Sequence, residues 1–279
     1  MDLPVLALLL LAAAAHAGWN AWIKDAGASL PQMATVAIGW LVVAIIALPF
    51  AGLPSLANVP YLLATTVVHT LYAIVLISAY RHGEFSLTYP LARGAGPLFV
   101  SLSAPYLLQE HLEGPSLFAV TLIVVGIFMI GAFRSVRGVH DHRAILLSLA
   151  TGVLIAAYTM IDATGARAGA SPHAYAAWLF LLTAIALLAT TAMVHKENVA
   201  ALVFSRWRSG IPVGVLSAAA YWVVIWAMTV APTALVAAVR ETSILFAALF
   251  GWGFLGEKIR FWRWVGAGIT VIGLVLAKL

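Results

Sequence analysis

From Leu3 to Lys278 the chain is a succession of apolar runs, each close to the length that crosses a bilayer, with only short polar breaks between them. A spanning helix needs ~20 mostly apolar residues. Ten candidate spans follow, at roughly 3–23, 32–52, 58–80, 85–108, 115–133, 144–165, 173–194, 211–230, 233–255 and 262–278. Pro31, Pro54, Pro60, Pro115, Pro172, Pro212 and Pro232 fall at or near their ends, where proline is tolerated. With 63% hydrophobic and 9% charged residues there is too little polar surface for a water-facing domain. The expected fold class is therefore an all-α integral membrane protein. Leu3–Ala15 followed by Ala15-His16-Ala17 resembles a cleavable signal, but Met1-Asp2 supplies no basic segment, so Leu3–Ile23 reads as a retained first helix. The absence of cysteine from the sequence excludes disulfides, thiolate metal sites and cysteine nucleophiles.

The chain repeats itself. Arg93 and Glu110 recur at a constant offset as Arg240 and Glu257, and Leu98, Phe99, Leu102 and Gly126 recur as Leu245, Phe246, Leu249 and Gly273. Apolar matches come cheaply in such a chain, so the two charged pairs carry most of this evidence. A duplication predicts five spans in residues 1–135, a polar linker at 136–143 and five more in 144–279. Because five is odd, the second half enters the membrane in the opposite sense. That gives two inverted five-helix repeats, with a substrate site near the midplane between them.

The net charge of +5 sets orientation; it does not bind nucleic acid. Lys24, Arg81, Arg134, Arg137, Arg143, Lys196, Arg206, Arg208, Lys258, Arg260 and Arg263 all follow odd-numbered spans. Positive-inside logic places those loops in the cytoplasm and both termini outside.

Tyr89-Pro-Leu-Ala-Arg-Gly-Ala-Gly-Pro97, the Leu-Leu-Gln-Glu110 helix end and Leu-Gly-Glu-Lys258 resemble the EamA-type permeases of the drug/metabolite transporter superfamily. The resemblance covers essentially the whole chain. It implies ten helices in two inverted repeats, no cofactor, and transport of small organic metabolites, often amino-acid export, in a bacterial cytoplasmic membrane. Some members of the superfamily have both termini in the cytoplasm, against the loop charges here.

Charged residues inside a membrane are costly and therefore candidates for function. Arg93 in the fourth span is placed to grip a substrate carboxylate, with Tyr89 nearby; an ion pair bridging the halves is the alternative. Arg240 has Glu241 beside it, which favours the ion pair there, and Asp162 joins these two as a coupling or pairing group. Pro90, Gly94, Gly96 and Pro97 around Arg93 predict an interrupted helix lining a cavity, with close helix packing as the other use of such glycines. Trp19 and Asn20 share a side with His16; His69 and Tyr72 share one in the third span. Tyr158 precedes Asp162 by one turn in the sixth span, and Trp222 and Trp226 are one turn apart in the eighth. Together these outline a vestibule lined by the first, third, sixth and eighth helices, although aromatic residues also serve packing and membrane interfaces.

Several patterns are decoys. Gly251-Trp-Gly253-Phe-Leu-Gly256 has the spacing of a dinucleotide motif but sits in an apolar helix with no preceding strand, and His140-Asp-His142 is a solvated loop and not a metal site. Glu110 and Glu257 read as interfacial anchors. The leading function is an alternating-access carrier of small metabolites, most simply amino acids, with Arg93 as the arginine free to meet substrate. An integral-membrane enzyme using His69, Asp162 and Glu241 as acid/base groups is the alternative; against it, no span carries a catalytic motif.

Overall fold

The computed structural model describes every residue except 26, 28, 84, 113, 133–141, 170, 197–198, 247–260 and 279. The described residues form eleven α-helices: α1 (Leu3–Asp25), α2 (Leu30–Ala51), α3 (Val59–His82), α4 (Phe85–Leu107), α5 (Pro115–Ala132), α6 (His142–Ala168), α7 (Pro172–His195), α8 (Val199–Phe204), α9 (Trp207–Val230), α10 (Thr233–Arg240) and α11 (Phe261–Lys278). A single 3-10 turn, Leu56–Asn58, leads into α3. Among the described residues six stretches are long and apolar enough to cross a membrane: Leu3–Asn20, Leu30–Ala51, Leu56–His82, His142–Ala168, Pro172–His195 and Trp207–Val230. Their outward faces carry large apolar side chains such as Leu11, Ile46 and Val67, which only lipid or another apolar surface can solvate. The linker around Arg134 and His140, and with it Trp252, Glu257 and the Gly251–Gly256 pattern, lies outside the described residues.

Helix ends follow local chemistry. α2 and α7 each begin with serine at the N-cap and proline in the first turn, and the Ser171 hydroxyl accepts the Ala174 N–H at 3.3 Å. Pro212 differs from expectation: α9 starts at Trp207, so this proline lies inside the helix, in its second turn, past the first-turn N–H groups that lack helical partners, and it removes one bond from the ladder.

Small residues decide which helices meet. A Cβ on Gly39 of α2 would lie 2.6 Å from the Gly214 Cα of α9, and one on Gly152 of α6 would lie 2.6 Å from the Ala95 Cβ of α4. Backbones that close need glycine at the crossing. The contact between α5 and α11 is reciprocal. A Cβ on Gly126 would lie 2.6 Å from the Gly266 oxygen and 2.9 Å from the Thr270 nitrogen; one on Gly273 would lie 2.9 Å from the Ala119 oxygen and 3.0 Å from the Ile123 nitrogen.

The helix interruption is not in α4. That helix runs unbroken from Phe85 to Leu107, and its glycines serve packing: Gly94 faces the Phe128 ring and Gly96 faces Ile155. The break is instead at Arg240, the residue that the sequence pattern pairs with Arg93. α10 ends at Arg240, and the backbone turns at Glu241–Thr242, with Thr242 N–H bonded to Val239 O and Leu245 N–H to Thr242 O. These i→i−3 bonds mark a local tightening of the helix.

Candidate functional site

At the break in α10, Glu241 is held between two arginines. Arg240, its neighbour, donates from Nε to Glu241 Oε1 at 3.1 Å, with Nη2 2.9 Å from the same oxygen. Arg93 comes across from α4 and places Nε 2.7 Å from Glu241 Oε2. All three side chains are almost wholly buried. The assignment of Arg93 as the free arginine is thereby corrected: its carboxylate comes from the other half of the chain, a pairing that no local spacing could reveal. Two guanidinium groups against one carboxylate leave one positive charge in the protein interior.

A second cluster lies across the same core. Asp162 of α6 accepts hydrogen bonds from Tyr175 OH of α7 at 2.9 Å and Tyr221 OH of α9 at 2.5 Å, and His69 Nε2 of α3 lies 3.2 Å away. Both carboxylate oxygens are thus engaged, as a buried carboxylate requires. Aromatic rings connect the clusters. His69 stacks on Tyr158 at 4.1 Å, Tyr72 meets Tyr158 edge-on at 5.4 Å, and the Arg240 guanidinium lies 5.6 Å from the Tyr158 ring centre and 5.9 Å from that of Tyr221.

A cavity of about 60 Å³ opens among these groups, walled by His16, Trp19, His69, Tyr72, Tyr158, Tyr221 and Arg240, together with Trp40, Phe180, Thr183 and Ser217. It has room for a few water molecules and must widen to take a metabolite. Of the residues singled out from the sequence, Trp19, His69, Tyr72, Tyr158 and Arg240 face this space. Asp162 and Glu241 stand behind the wall and hold its members in place.

The other candidates lie elsewhere. Asn20 is buried and bonds the His16 carbonyl of its own helix. Tyr89 lies beneath the Arg93 guanidinium, 5.8 Å from ring centre to Cζ. Trp222 sits one layer out, stacked on His173 and bonded to its Nδ1 at 2.9 Å, and Trp226 packs against the large apolar cluster. The lining residues of α9 are Ser217 and Tyr221. The signal for them was the run Gly210, Gly214, Ser217, Tyr221, a face of small and polar residues at helical spacing. Trp40 belongs to that same contact, donating to Ser217 Oγ at 2.6 Å.

Glu110, expected as an interfacial anchor, ties three helix ends together. Its carboxylate accepts the backbone N–H of Thr233 at 2.6 Å and the Thr233 hydroxyl at 2.9 Å, which caps the start of α10. It also pairs with Arg167 at the end of α6. Arg167 in turn donates from Nε to Met228 O at 2.8 Å, near the end of α9.

Residues 142–279 match the EamA-like transporter family. The chain is 26% identical over 273 residues to the pseudopaline exporter CntI of Pseudomonas aeruginosa, in two strains, covering 96% of this chain and 91% of the relative. It is 21% identical over 220 residues to the uncharacterized transporter YwfM of Bacillus subtilis, covering 78% and 72%. A solved crystal structure shares the fold, with a TM-score of 0.72 and 98% of each chain covered at 16% identity. The names these relatives carry are those of transporters. Its apolar helices and this kinship make the protein an integral membrane protein with a small-molecule substrate. Residues 142–279 are thus an EamA-like transporter domain, in a chain homologous over nearly its whole length to an exporter of the drug/metabolite transporter superfamily.

Proposed function

We propose that the protein exports small zwitterionic metabolites, amino acids foremost, by alternating access across a bacterial cytoplasmic membrane. The observation that carries this reading is Arg240. It is a buried guanidinium at a helix break, facing a cavity, in a cluster that retains one positive charge. A carboxylate neutralises that charge and satisfies the guanidinium's remaining donors. The substrate ammonium sits toward Tyr72 and His69, in the field of Asp162, and the remaining aromatic wall covers the apolar part.

The architecture proposed is two inverted five-helix repeats, residues 1–135 and 144–279, joined by 136–143. The reciprocal contact between α5 and α11 supports it. Gly126 corresponds to Gly273, Gly266 to Ala119 and Thr270 to Ile123 at one constant offset, so each glycine meets the counterpart of what the other meets. Under this arrangement Glu110, Arg167 and Thr233 lie on the side away from the basic loops, which positive-inside logic makes the external face. Their ion pair and cap hold that face closed, and its release is the outward-opening step. Pseudopaline is the cargo of one relative; the class of cargo and its direction, outward, are what we carry over.

The test is saturable flux of labelled amino acids in liposomes containing the purified protein. Arg240→Gln is expected to raise the apparent KM by roughly 10–100-fold, the loss of a charge-assisted contact. Equal KM values for wild type and variant would remove Arg240 from substrate binding.

A further inference from the structure

Two buried polar atoms of the cavity wall, Thr183 Oγ1 and His16 Nε2, have no role in the arrangement above, and of these the histidine nitrogen has its hydrogen fixed by a neighbour. His16 of α1 lines the cavity, and its Nε2 is buried without a hydrogen-bond partner. Its Nδ1 accepts the indole N–H of Trp19 at 2.9 Å, with the two rings edge-to-face at 5.1 Å. An indole nitrogen can only donate, so Nδ1 must be the unprotonated nitrogen, and the proton of the neutral ring resides on Nε2. Protonating the ring would destroy the Trp19 bond, because an imidazolium has no acceptor to offer. Trp19 thus fixes His16 as an uncharged N–H donor in a cavity wall, with no acceptor of its own. A buried donor left unmet is costly, and a ligand acceptor relieves it.

Charge decides what kind of acceptor fits. The Arg93–Glu241–Arg240 cluster keeps one positive charge, and the second cluster holds one carboxylate, Asp162. A zwitterion matches both. A second carboxylate adds a charge beyond the one that the Arg93–Glu241–Arg240 cluster leaves over, at high cost in an apolar interior. We propose that the cavity selects zwitterionic amino acids whose side chain carries an uncharged hydrogen-bond acceptor, an amide or carbonyl oxygen, and that His16 Nε2–H recognises that oxygen. This rests on the transport reading given above.

The experiment compares L-glutamine, L-norleucine and L-glutamate, three probes of similar size, as labelled substrates of the protein in liposomes. For wild type, the KM for glutamine is expected to be roughly tenfold below that for norleucine, with glutamate the poorest of the three. His16→Leu should raise the glutamine value roughly tenfold and leave norleucine within about twofold. His16→Gln, which can offer an N–H near the same place, should restore much of the preference. If His16→Leu does not fold, Trp19→Phe serves: it frees the tautomer and should narrow the glutamine/norleucine ratio. A ratio unchanged in these variants, a parallel rise for both probes, or glutamate carried as well as glutamine overturns the assignment to His16 and leaves the transport reading standing. Wild-type liposomes that carry none of the three remove the transport reading, and this inference with it.

Discussion

Arg93 in α4 and Arg240 in α10 are counterparts in the two proposed repeats, and the structure treats them differently. Arg93 lies on an unbroken helix, its guanidinium against Tyr89 and Glu241. Arg240 lies where its helix ends, shares the same glutamate, and faces a cavity. The sequence context pointed the other way, since the glycines and prolines surround Arg93. Gly94 and Gly96 instead let α4 pack against Phe128 and Ile155, whereas α10 breaks without glycine or proline at the turn. A helix break in a membrane is decided by where backbone groups and charges find partners, and composition is only one contributor.

The comparison can be broken most severely at the residue both arginines share. Glu241→Gln leaves two buried guanidinium groups without a carboxylate, and losing one member of a buried ion pair costs about 3–5 kcal/mol. The expected result is a collapse in the yield and thermal midpoint of detergent-purified protein; near-wild-type stability would mean the cluster is hydrated and the pairing unimportant. Next comes the contrast between the arginines themselves. Arg240→Gln should impair substrate affinity by roughly 10–100-fold with modest loss of stability, because Arg93 and Glu241 still form a neutral pair. Arg93→Gln should do the reverse and cost stability first, with a KM within about threefold of wild type. Similar KM shifts in both variants would erase the distinction.

Smaller effects sharpen it. Glu110→Gln removes the Arg167 pair and weakens the cap on α10, a partly exposed tie worth about 1 kcal/mol. Cysteines placed in the cavity wall should then react faster with impermeant thiol reagents from the external side, against a chain with no native cysteine. Unchanged labelling would remove the tie as a gate. Smallest of all, Gly94→Ala asks the Phe128 ring to give way by a few tenths of an ångström. Its cost should stay under about 1 kcal/mol with transport intact, as a packing glycine predicts and a hinge glycine does not.

The site was legible where function needs a charge or an aromatic ring in a place that lipid would reject. Arg240, His69, Tyr72, Tyr158 and Trp19 stand out on those grounds and line the cavity. Trp222 and Trp226 share the same spacing logic and face elsewhere, and their neighbour Tyr221 is the one that points inward. The reason is physical: lipid and protein core are both apolar, so a membrane helix carries little amphipathic contrast from which its rotation can be read.

The sequence by itself determined the helices and their approximate ends, because each depends on interactions among near neighbours: apolar length, first-turn proline and serine caps. Tertiary structure decided the pairings. Arg93 meets Glu241, Asp162 meets Tyr221 and His69, and Glu110 meets Arg167 only after distant helices pack, and in an apolar interior a charge takes whichever partner the packing brings within reach.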